Sequence, residues 1–89
     1  MNPTIYNVDI AIADTEYSLL MPSDAKGFIF KTRNGYDSVK LALKSGESAT
    51  NFITVPAGGT LELTEGYISG TSIYFQSPTI DVAEIIVII

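Results

Sequence analysis

Apolar residues recur with a period of two along almost the whole chain, which restricts it to β-structure. Val8, Ile10 and Ile12 are separated by Asp9 and Ala11, and Phe28 and Phe30 by Ile29. Val39, Leu41 and Leu43 alternate with Lys40, Ala42 and Lys44; Leu61 and Leu63 flank Glu62; Ile73 and Phe75 flank Tyr74. Side chains at i and i+2 share one face of a strand, so each set can enter a common core. No stretch sustains the three-to-four spacing of an amphipathic helix. Residues 14–25 are the only place for a helical turn, and Met21-Pro22 argues against a long one.

Turn chemistry separates the runs. Asn34-Gly35 lies between two alternating segments, and both residue types accept the positive φ of a type I′ turn. The expectation is a hairpin of 26–32 with 37–43, with Val39, Leu41 and Leu43 facing inward. Ser45-Gly46-Glu47-Ser48, Pro56-Ala57-Gly58-Gly59, Glu65-Gly66, Ser69-Gly70 and Ser77-Pro78 supply the other breaks. The run Ile85–Ile89 is wholly β-branched and apolar. It suits a strand placed mid-sheet or buried on both faces, within this domain or against another subunit. Seven or eight short strands about ten residues apart indicate an all-β fold, a small antiparallel β-sandwich or partly open barrel.

With 89 residues the chain is expected to form one domain, 1–89. A chain of this size buries roughly 60–65% of its unfolded surface, enough for one modest core and little for a deep cleft. There is no cysteine, hence no disulfide framework and no thiolate metal site. The start, Met1-Asn2-Pro3-Thr4, lacks the features of a targeting segment, and the longest apolar run falls far short of the roughly 20 residues that span a bilayer. Synthesis in the cytoplasm as a soluble protein is expected, with no membrane partner.

The net charge of −5 is unevenly spread. All five bases, Lys26, Lys31, Arg33, Lys40 and Lys44, lie in 26–44, where Asp37 alone opposes them; that stretch carries +4 and the remainder −9. Such a balance is unsuited to nucleic acid, whose binding needs a basic face that releases counterions. The bases could simply solvate an exposed face and discourage strand pairing. They could also form a docking patch for an acidic neighbour or a second copy. Lys31, Arg33, Lys40, Lys44 and Tyr74 are the candidate interface residues.

Catalysis is not expected. The absence of histidine removes Ser-His-Asp and Cys-His systems and the commonest metal ligand. The acidic residues, Asp14 and Glu16 among them, are scattered, and no Asp-x-Asp-x-Asp-Gly run suggests a cation loop. Pro56-Ala57-Gly58-Gly59 precedes a strand and carries no Lys-Ser/Thr, so it reads as a turn and not a phosphate loop. No catalytic, metal or cofactor residue is assigned. The five tyrosines, Tyr6, Tyr17, Tyr36, Tyr67 and Tyr74, suit half-buried strand positions or interfaces, and could also stack on sugars.

Several segments occur in a suggestive order: Pro-Ser-Asp-Ala-Lys-Gly-Phe-Ile-Phe-Lys-Thr-Arg-Asn at 22–34, a strand with Val39 and Leu41, Ile-Thr-Val-Pro-Ala-Gly-Gly-Thr-Leu-Glu-Leu at 53–63, and Gly-Thr-Ser-Ile-Tyr-Phe-Gln-Ser at 70–77 before a terminal strand. Over Pro22 to Ile88 this resembles small β-sandwich virion proteins of tailed bacteriophages. The resemblance implies a non-catalytic structural protein of the virion, most simply a capsid decoration or cement protein. Its partners would be other virion proteins, the major capsid protein above all, and further copies of itself. The alternative is a small carbohydrate- or receptor-binding β-sandwich module.

Overall fold

The computed structural model describes residues 4–63 and 70–89, which form eight strands in two four-stranded antiparallel sheets packed as a sandwich, with no closed barrel. The strands are β1 (Thr4–Ile10), β2 (Tyr17–Leu20), β3 (Gly27–Thr32), β4 (Val39–Ala42), β5 (Ile53–Val55), β6 (Leu61–Leu63), β7 (Ser72–Gln76) and β8 (Asp81–Ile88). One sheet has the order β1-β8-β3-β6 and the other β2-β7-β4-β5. The expected breaks at Glu65-Gly66 and Ser69, and Thr64 and Tyr67, lie outside the described residues.

The alternation places side chains as expected through most of the core. Phe28, Phe30, Val39, Leu41, Ile73, Phe75, Ala83, Ile85 and Val87 are all buried. Removing a side chain of this size from water contributes about 1.5–3 kcal/mol. Phe30 and Phe75, from opposite sheets, meet with ring centroids 5.1 Å apart and planes tilted by 59°. Such a tilted pair sets a ring edge towards the neighbouring π face, the favoured geometry for aromatic contact.

The 26–32/37–43 hairpin does not form. β3 and β4 belong to different sheets, and residues 33–38 carry the chain from one to the other. Gly35 has the positive φ its position suggested, 64°, but Asn34 does not, so the turn is not type I′. The physical reason is a distant carboxylate. Asp81 Oδ1 accepts hydrogen bonds from the Asn34 backbone N–H at 3.1 Å and from Asn34 Nδ2 at 3.0 Å. Asp37 supports the same corner, accepting from the Ser38 N–H at 2.9 Å and the Thr79 hydroxyl at 3.3 Å. The corner leads away from β3 because its polar groups are satisfied by the start of β8 and not by a paired return strand.

Three further expectations change. Leu43 is 49% exposed, because β4 ends at Ala42, which is itself buried. Ile12 is 62% exposed, because β1 ends at Ile10. Residues 14–25 contain a strand, β2, and no helical turn. The tight turn at 56–59 does form: Gly59 N–H donates to Pro56 O at 2.8 Å, with Gly58 at φ 71°.

β8 lies mid-sheet, paired with β1 on one side and β3 on the other. It is buried on one face only. Ala83, Ile85 and Val87 enter the core, while Val82, Glu84, Ile86 and Ile88 alternate on the outside. Of the two burials open to Ile85–Ile89, the structure uses the one within the sandwich.

Candidate interaction surface

The outer face of the β1-β8-β3-β6 sheet is built in rows, because paired residues of neighbouring antiparallel strands stand side by side. One row runs Ile5, Ile86, Ile29 and Glu62. Ile5 is 66% exposed and Ile86 36% exposed. The next row runs Asn7, Glu84 and Lys31. Here Lys31 Nζ lies 3.0 Å from Glu84 Oε1, and Arg33 Nε 2.8 Å from Glu84 Oε2. Hydrogen bonds from Arg33 and then Lys31 hold the Glu84 carboxyl below its ordinary range. The face thus sets a row of isoleucines, ended by Glu62, beside a row in which Lys31 and Arg33 share Glu84.

The candidate interface residues are separated by the fold. Lys31 lies on this sheet, and Arg33, just past the end of β3, reaches Glu84 of the same sheet. Lys40 and Tyr74 lie on the other, Lys40 between Gln76 and Thr54, and Tyr74 between Ser18 and Ala42. Lys40 Nζ stands 5.1 Å from the Phe52 ring centroid, within cation–π range. Lys44 is exposed beyond the end of β4. The basic stretch therefore makes no single patch: two of its charges share Glu84, and the bases stand on both sheets.

Three polar or concave features were not anticipated. The first is a loop latch. Glu16 Oε1 accepts from the buried Ser48 hydroxyl at 2.5 Å and the Ser48 N–H at 3.2 Å, while Oε2 accepts from the Gly46 N–H at 3.0 Å. Gln76 Nε2 donates to the Ser48 hydroxyl at 2.9 Å. The Ser48 hydroxyl, against partial desolvation and with help from the two backbone groups, holds the Glu16 carboxyl below its ordinary range. This fastens the long β4–β5 connection to the turn before β2. Its signal in the sequence was only a Glu two residues from Asp14, a poor guide to a partner some thirty positions away.

The second is a shallow trough of about 470 Å³ at the corner, lined by Asp9, Asn34, Tyr36, Ile80 and Val82 among others. Its Tyr36 is 68% exposed although its backbone belongs to the tied corner. The third is an apolar groove of about 410 Å³ between the β5 and β6 rims, lined chiefly by Phe28, Leu41, Leu43, Phe52, Leu61 and Leu63.

Among the described residues no three acidic side chains gather as a metal site would require. The arrangement offers surfaces for binding. No protein-family model matches the chain, and neither a curated protein nor a solved structure matches it.

Proposed function

We propose that this chain is a non-catalytic structural protein of a bacteriophage particle, a capsid decoration or cement protein that acts by contacts with other virion proteins. The observation that carries the contact reading is the row of Ile5, Ile86 and Ile29 on an outer sheet face. Contiguous apolar surface of this kind on a small domain marks a place where another surface seats. The virion as the setting rests on the sequence resemblance alone. The Glu84 pairs with Lys31 and Arg33 would form a polar rim beside the apolar row.

The test is co-sedimentation of the purified protein with phage heads assembled without it. Capture of wild type, and its loss in Ile86→Glu with the fold intact, supports the proposal. A second reading, a carbohydrate-binding module, is favoured by the exposed Tyr36 ring beside Asp9 and Asn34 in the corner trough. Glycan binding that disappears in Tyr36→Ala, without capture on heads, would replace the first reading with the second.

A further inference from the structure

We infer that the free rim of β1 is a self-pairing edge, through which two copies of this chain join β1 to β1 in antiparallel fashion to make one eight-stranded sheet. The inference is independent of the virion proposal, since it concerns the protein alone.

Counted over the described residues, β1 is the longest of the four rim strands: seven residues, against four in β2 and three each in β5 and β6. Among the described residues it pairs with β8 only. The other side of the strand therefore presents backbone N–H and C=O groups along a length of roughly 23 Å. Proteins ordinarily blunt such a rim with lysine, proline or a bulge. β1, Thr-Ile-Tyr-Asn-Val-Asp-Ile, contains neither residue, and its pairing with β8 runs from Thr4–Val87 to Ile10–Asp81 without a skipped position. Tyr6 and Val8 pack against the core from the inner face but stay only partly buried.

A second copy is the partner that fits, because the strand complements itself about Asn7. In that register the two Asn7 residues face each other, Tyr6 faces Val8 of the other copy, and Ile5 faces Asp9 of the other copy. Tyr6 with Val8 is an aromatic–β-branched pair, a favourable cross-strand neighbour. It extends the core of each sandwich towards the other. The one charge in the strand decides the register. Centred on Asn7, the two Asp9 carboxylates are four positions apart, roughly 14 Å along the ribbon, and so beyond the screening length of about 8 Å. Centred on Val8 they would approach to roughly 7 Å and repel. The twofold also leaves the row of Ile5, Ile86 and Ile29 of both copies on one face of the joined sheet.

The test is sedimentation of the full-length chain from about 10 μM to about 1 mM, where modest interfaces report themselves. Asn7 is exposed, so Asn7→Lys and Asn7→Asp are compatible with the fold. Each variant alone is expected to dissociate at least about tenfold more readily than wild type, from like charges set face to face. An equimolar mixture of the two should restore association. Amide exchange in wild type should slow along β1 as concentration rises, a readout independent of both variants. A wild type that stays monomeric throughout, an association untouched by Asn7→Lys, or a mixture no tighter than its components would overturn the inference.

Discussion

Gly35 packs so closely against Gly58 that a methyl group on Gly35 would lie 2.8 Å from the Gly58 Cα. The corner that carries the chain between sheets thus rests directly on the backbone of the turn after β5. Gly35 also has φ 64°, a conformation that resists side chains. Gly35→Ala should destabilise the protein by about 2 kcal/mol or more, from strain and overlap together. Gly46→Ala, at φ 81° with open space around it, should cost only about 1 kcal/mol. Urea denaturation midpoints of the two variants separate overlap from strain; equal losses would contradict the close packing.

Leu41 and Leu43 form a matched pair two residues apart. Leu41 is buried opposite Phe75, whereas Leu43 lies beyond the strand. Leu41→Ala should cost about 2–5 kcal/mol, and Leu43→Ala no more than about 0.5–1 kcal/mol. Thermal or denaturant unfolding of both variants checks the contrast.

Acid should loosen the protein through three carboxylates. Burial pushes the Asp81 carboxyl up, but N–H groups of Val82, Asn34 and Tyr36 and the Asn34 side chain together bring it below its usual 3.8. Glu16 and Glu84 also lie below their usual 4.5. A carboxylate whose pKa is lower folded than unfolded contributes stability that is present above the unfolded value and lost as pH falls through the folded one. Stability should therefore decline as pH falls below about 4.5. Glu16→Gln should flatten part of that decline, measured as the slope of denaturation free energy between about pH 5 and pH 2.

Deleting residues 87–89 should leave an unfolded chain. Val87 is fully buried and lies between Thr4 of β1 and Phe28 of β3, so its loss removes core and ladder together. Circular dichroism of the truncated protein is the measurement. A cooperative thermal transition in that variant would contradict the central role of β8.

The faces of the strands were legible in the sequence, and most of their partners were not. Alternation separates Leu41 from Lys40 and Phe75 from Tyr74, because it reports only which side of a pleat a residue occupies. It does not report which strand lies alongside. Asn34-Gly35 is a genuine turn signal, yet Asp81, 47 positions later, redirects it. β2 has four residues, too few for alternation to stand out beside Met21-Pro22. The charges behave likewise. Lys31 and Arg33 read as free bases until the β3–β8 pairing brings Glu84 between them. The outer isoleucine row was hidden for the same reason, since Ile5, Ile29 and Ile86 become neighbours only through the pairing of β8 with β1 and β3.

The path of the chain has a consequence for its birth. Of the seven steps from one strand to the next, only β4 to β5 stays within a sheet as a paired neighbour; every other step changes sheets. The sheet built on β1 has β8 between β1 and β3, so its first strand has no partner until its last is made. Until β8 is made, a nascent chain therefore exposes β1 and β3 without their common neighbour. Loop closure over such distances is slow, and unpaired rims are the surfaces that aggregate meanwhile. Closure of this sheet therefore waits for β8, the central strand that joins β1 to β3.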